Sequence, residues 1–132
     1  MYKIVLIGAG STQFGLGTVG DIFKSKILEG STITLHDINP EALKNTKDIA
    51  DRYKNELNVN CNIEATTNLQ DALKNANFCI ISIEVGDRFK LWEDDWKIPI
   101  EHGSKQIMAE NGGPGGLFHS LRIAPEIVKI CD

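Results

Sequence analysis

Residues 3–15 read KIVLIGAGSTQFG, and the reading of this stretch decides the fold. Lys3 to Ile7 is a short apolar run stopping at Gly8, the pattern of a strand buried in a parallel sheet. The turn Gly8 to Gly15, GAGSTQFG, then opens a helix that Ser11 can cap. Its positions Phe14, Val19, Ile22, Phe23 and Ile27 share one face until Gly30 ends it. A glycine-rich turn between strand and helix is where the dinucleotide fingerprint GxGxxG belongs, because the helix N-terminus receives negative charge. The match is partial. Gly8 fits the tight turn and Gly10 the close approach to a pyrophosphate, but Gln13 holds the third glycine position and Gly15 comes two residues later.

Working outward, Thr32 to Asp37 reads as a second strand, and Asp37 closes it with a carboxylate able to accept hydrogen bonds from both hydroxyls of an adenosine ribose. The same charge repels a 2'-phosphate, which favours NAD over NADP. The bland alternative is an ordinary strand-to-helix turn with a surface aspartate, but strand, turn, helix and strand-end acid occur here in the required order. Asn39-Pro40 supplies an N-cap and a first-turn proline for a second helix whose Leu43, Thr46, Ala50, Tyr53 and Leu57 step by threes and fours. A strand follows at Asn62 to Thr66, then a short helix capped by Asn68 through Leu73, then the most continuous apolar strand, Phe78 to Ile83. Phe89, Trp92 and Trp96 share a helical face before Pro99 interrupts, and Leu117 to Cys131 reads as a last helix with Pro125 as a candidate kink. Alternating strands and helices predict an α/β fold: a Rossmann-like parallel sheet with flanking helices.

The composition sets the outer bounds. A chain of 132 residues suits one domain. With 42% hydrophobic residues, 24% charged residues and a net charge of -4, it has no basic field for nucleic acid. The apolar run before Gly8 is too short for a signal-peptide core, and no run approaches a membrane span, so a soluble cytoplasmic protein is expected. Cys61, Cys79 and Cys131 lack CxxC spacing and read as buried thiols. His36 reads as a packed strand residue, His102 as part of a polar turn and His119 as either approaching the site or, the favoured reading, turned to solvent. Trp92 and Trp96 read as packing residues, and Glu93-Asp94-Asp95 as a solvated face. Neither GxSxG nor GxxxxGK[ST] occurs, so a nucleophile elbow and a P-loop are both excluded.

A second glycine-rich stretch, AENGGPGGLFHSLR at 109–122, makes the sequence more specific. Together, GAGS near the start, an acid ending the second strand, IEVGDRF after the fourth, and ENGGPGGLFHSLR before a helix resemble glycoside hydrolase family 4. That family is an exception to the usual two-carboxylate glycosidase mechanism and depends on NAD. The wording is most similar to its α-galactosidase, α-glucuronidase and α-galacturonidase branch. Members acting on 6-phosphorylated sugars tend to carry VGG and an arginine soon after. Here Val85-Gly86-Asp87 is followed by Leu91-Trp92, so the resemblance points away from a phosphorylated substrate.

The resemblance implies that residues 1–132 are the N-terminal NAD-binding Rossmann-like domain of an α-glycosidase, a truncated fold whose catalytic C-terminal part lies outside the chain. Its expected cofactor residues are Gly8, Gly10, Ser11, Gln13, Phe14, Asp37 and Val85. Glu110 matches an acidic position near the sugar, the expected catalytic residue, there to act as an acid or to hold a hydroxyl, and Asn111 a substrate contact, while Gly112 to Gly116 lets backbone pass close beneath nicotinamide and sugar. The implied reaction moves a hydride from sugar C3 to NAD+, which acidifies the C2 proton. A base then removes that proton, the C1 leaving group is eliminated, water adds and the hydride returns. A divalent metal, typically manganese, polarises the developing enolate; its cysteine and histidine ligands fall downstream, so neither Cys131 nor His119 takes that role. A homo-oligomer acting on a small sugar, without membrane or nucleic-acid partners, is expected. Two other readings stay open: an NAD-dependent dehydrogenase of the lactate and malate type, and a stand-alone nucleotide-binding module.

Overall fold

The computed structural model describes residues 1–11, 13–105 and 112–132. The chain divides into two compact units, Met1–Ser82 and Ile83–Asp132. In the first, four strands, β1 (Lys3–Ile7), β2 (Thr32–His36), β3 (Asn62–Thr66) and β4 (Phe78–Ile81), form a wholly parallel sheet in the order β3-β2-β1-β4. This is the first half of the doubly wound order, in which the chain starts at the centre, winds to one edge and returns to the other side. Its connections include the helices α1 (Phe14–Lys24), α2 (Pro40–Glu56) and α3 (Leu69–Leu73).

The period of two along the strands explains the core. Ile4 and Leu6 of β1, Ile33 and Leu35 of β2 and Ile63 of β3 join Val19 and Ile22 of α1 and Leu43 and Ala50 of α2 in one buried cluster. Burying each large aliphatic side chain contributes roughly 1.5–3 kcal/mol. Val5 and Thr34 are also fully buried, and Thr34 Oγ1 donates to Glu64 Oε2 at 3.3 Å. Local signals set the helix ends: Asn39 Oδ1 accepts the N–H groups of Glu41 and Ala42, and Asn68 Oδ1 that of Asp71.

Several expectations shift. Helix α1 ends at Lys24, followed by a 3-10 turn at Lys26–Leu28, so Ile27 leaves the predicted apolar face and is 85% exposed. The first helical residue is Phe14, placing Gln13 at the N-cap, while Ser11 Oγ accepts the Phe14 N–H at a long 3.4 Å. Strand β4 stops at Ile81 rather than Ile83, and its position at the outer edge leaves Phe78 and Ile80 exposed despite their apolar run. The buried-thiol expectation holds for Cys61 alone; Cys79 and Cys131 are exposed, one on the edge strand and one at the end of the last helix.

Among its described residues the second unit contains two helices, α4 (Arg88–Glu101) and α5 (Pro114–Cys131). Asp87 caps α4 by accepting the Lys90 N–H at 3.2 Å. The sequence predicts an interruption at Pro99, yet α4 runs through it, because a missing N–H in the last turn removes only one ladder bond. Helix α5 begins earlier than the periodicity implies, with Pro114 in its first turn and Gly113 as N-cap, and continues through Pro125. No helix among the described residues is long and apolar enough to cross a membrane.

Candidate functional site

The C-terminal end of β1 gathers the residues of the first motif. Gly8 adopts φ 85, a left-handed conformation that favours glycine, and lets the chain leave the strand sharply. The turn is fastened to the neighbouring strand: Gly8 N–H and Ala9 N–H both donate to His36 O, at 2.9 and 3.0 Å. His36 itself is 4% exposed, with Nδ1 3.0 Å from Thr66 O, in agreement with its reading as a packed residue.

One residue beyond β2, Asp37 reaches back to this turn. Its Oδ2 accepts the Gly10 N–H at 2.8 Å and its Oδ1 the Asn39 N–H at 2.9 Å. A carboxylate has about four lone-pair sites, so each oxygen retains capacity for a further donor such as a ribose hydroxyl. Gly10 permits the approach. A Cβ there would stand 2.7 Å from Asp37 Oδ2 and 2.9 Å from Ala42 Cβ, so no other residue fits without displacing the acid or α2. The structure therefore brings Gly8, Gly10, Ser11, Gln13, Phe14 and Asp37 to one end of the sheet, at the side of β1 that faces β2.

The sequence reading missed the role of Gly15. It is buried, and a Cβ on it would lie 2.1 Å from Ala9 O, so the first turn of α1 packs directly on the backbone of the glycine turn. This is the close helix-packing task of the third glycine in GxGxxG, performed two residues late. The signal was visible as a glycine beyond the expected position, but spacing alone did not show which backbone atom it would meet.

In the second unit, Val85 is followed by Gly86 at φ 78, whose Cβ would meet Leu91 Cδ1 at 2.9 Å. The Arg88 guanidinium lies 4.1 Å from the centre of the Trp92 ring, so one face of Trp92 carries a cation. The acidic run is not a uniformly solvated face: Glu93 pairs with Lys97, and Asp95, only 14% exposed, grips both terminal nitrogens of Arg122 on α5. His119 likewise does not simply face solvent, since its Nδ1 stands 3.7 Å from Glu84 Oε1. Glu110 and Asn111 lie outside the described residues. Among the described residues no group of three His, Cys, Asp or Glu side chains is placed to hold a metal.

Known proteins are similar to this chain in sequence and in fold. The α-glucosidase of Erwinia rhapontici is 58% identical over 129 residues, covering 98% of this chain and 28% of the relative. The α-galactosidase of Bacillus subtilis is 34% identical over 130 residues, covering 98% of this chain and 30% of the relative. The chain thus spans less than a third of the curated relatives it matches. The solved 6-phospho-β-glucosidase of Thermotoga maritima, crystallised with NAD and glucose-6-phosphate, superposes with a TM-score of 0.83 at 23% identity. It covers 99% of this chain and 30% of that one, and so shares the Rossmann-like fold. Residues 3–132 match the family described as Family 4 glycosyl hydrolase, and the chain belongs to that family.

Proposed function

We propose that the chain is the NAD-binding portion of an α-glycosidase, and that Gly8, Gly10, Ser11, Gln13, Phe14 and Asp37 hold the dinucleotide, with Val85 a further contact. The observation that carries this reading is the Asp37 carboxylate, fixed by the Gly10 and Asn39 N–H groups at the mouth of a glycine turn. The residues fit the cofactor: the turn has no Cβ at Gly10, and the acid is held in place before any ribose arrives. A preorganised acceptor loses little conformational freedom on binding. Its charge also opposes the 2'-phosphate of NADP.

When bound, the dinucleotide supplies a reversible hydride acceptor for sugar C3. This chain's residues bind and orient it, while Glu110 and Asn111 are proposed to meet the sugar. Cleavage in the whole enzyme is proposed to proceed by oxidation at C3, loss of the C2 proton and the C1 leaving group, addition of water and re-reduction. The residues proposed to hold the family's divalent metal lie downstream of this chain, and the described residues contain no competing ligand cluster. The substrate proposed is an unphosphorylated α-glycoside: a glucoside, as for the Erwinia relative, or a galactoside, glucuronide or galacturonide.

Calorimetric titration with NAD+ and NADP+ tests the cofactor assignment. NAD+ should bind and NADP+ should not, and Asp37→Ala should weaken NAD+ by roughly 10- to 100-fold, matching about 1.5–3 kcal/mol for hydrogen bonds to a charged group. Equal binding of the two dinucleotides, or an indifferent folded variant, would overturn the assignment.

A further inference from the structure

Four ionisable side chains converge in the 83–132 unit on positions that the dinucleotide reading does not use. His119 and Arg122 stand three residues apart on α5 and so share a face. Arg122 spends both terminal nitrogens on Asp95 of α4. Hydrogen bonding to Asp95 first, and then the charges of Asp95, Glu84 and Asp94, hold its guanidinium firmly protonated. Glu84 also brings Oε1 to 3.7 Å from His119 Nδ1.

Two atoms of this cluster are buried without a hydrogen-bond partner, His119 Nδ1 and Arg122 Nε. Such groups are few in native proteins and call for a physical account. Glu84 can answer the first: its carboxylate is acceptor-only, and its gap to His119 is less than one ångström beyond hydrogen-bond reach, within a side-chain torsion. A bare Nδ1 lone pair facing that carboxylate would be repelled, whereas an Nδ1–H is attracted. The hydrogen bond made by one ring nitrogen sets the state of the other. The imidazole is 37% exposed while Nδ1 is buried, so the open part of the ring is the part away from Glu84.

We propose that Glu84 holds His119 as its Nδ1–H tautomer, making Nε2 an acceptor for a hydroxyl of a bound polyol. The hydroxyl belongs to a pyranoside, so the ligand rests on the function proposed above; the tautomer does not. Glu84 is then a positioning residue and His119 the hydroxyl-binding one. His119 lies in the second turn of α5, which Gly113 caps and Pro114 begins.

Nitrogen-15 NMR of the histidine-labelled chain reads the tautomer, with His36 as an internal standard. Thr66 O can only accept, so neutral His36 carries its proton on Nδ1. His119 should show the same signature at a pH where the rings are neutral. Glu84→Ala should return it toward Nε2–H with His36 unchanged, which also reports that the variant is folded. An Nε2–H His119 in the parent chain overturns the proposal. NAD+, methyl α-D-glucoside and the two together are then added. A shift of His119 Nε2 that requires the glycoside assigns the pyranoside, and a shift with NAD+ alone or no shift in any arm overturns the hydroxyl role. Calorimetry with NAD+ reports separately, so failure of the cofactor reading is recognised as such.

Discussion

The two units of this chain are stabilised by different means. In residues 1–82, Val5, Leu6, Ile33 and Leu35 are completely buried, and the buried Thr34 and His36 have hydrogen-bonded side chains. In residues 83–132 the helices bury only Pro99 and Gly115 among the described residues, while Phe89, Leu117, Phe118, Leu121 and Val128 are exposed. The most closely fitted link between α4 and α5 there is the Asp95–Arg122 ion pair. A sheet with a buried apolar core supports a turn tied down by hydrogen bonds from Gly8, Ala9 and Gly10. A helix pair joined through polar contacts leaves buried polar atoms without hydrogen-bond partners, as at His119 Nδ1 and Arg122 Nε.

The largest expected effect lies in the first unit. Gly15→Ala forces a Cβ to 2.1 Å from backbone oxygen, which cannot rotate away, and should cost about 3 kcal/mol or more in urea denaturation. Little change would show that α1 can lift off the turn freely and that the packing argument fails. Next, amide exchange should separate the units, with α4 and α5 exchanging at least about tenfold faster than β1 and β2. Equal protection would erase the contrast. Arg122→Ala should destabilise the second unit by about 1–3 kcal/mol, between the ranges for exposed and buried pairs, and leave β1 and β2 protection unchanged. Asn39→Ala removes an acceptor of two N–H groups and should cost about 1 kcal/mol in the first unit.

The smallest effect concerns the thiols. Burial, the largest influence, pushes the Cys61 thiol up from its ordinary range, with Lys54 opposing. Its neutral form is favoured in the folded chain, so the associated stability is present below the unfolded thiol's pKa and is lost as pH rises through the folded value. At mildly alkaline pH, iodoacetamide should therefore modify Cys131 well before Cys61, and the reverse order would contradict the burial difference. The exposed apolar face of α5 also predicts concentration-dependent self-association in sedimentation, which a clean monomer at high concentration would refute.

Much of the first unit was legible because its signals are local. The apolar run Lys3–Ile7, the Asn39-Pro40 start and the Asn68 cap each act through neighbours within a few residues. The end of α1 was not legible, since Ile27 fits a helical stripe by periodicity and only the chain's turn before β2 removes it. Gly15 was visible but not interpretable, because its reason is a contact with Ala9 O that spacing does not reveal. Asp95 and His119 were misread for the same cause: their partners Arg122 and Glu84 are distant in sequence and on other segments of the chain. Asp37 was legible as the acid closing the second strand, because the fingerprint places one there, but its bond to the Gly10 N–H emerged only in three dimensions.

The most direct test of the central claim follows backbone amide resonances of the folded chain as NAD+ is added. The account predicts that Gly8, Gly10, Ser11, Gln13, Phe14 and Asp37 shift together along one saturable curve, while Asn58 and Cys61 near the start of β3 stay in place. Saturable binding that moves other residues and leaves Gly10 and Asp37 still would contradict it.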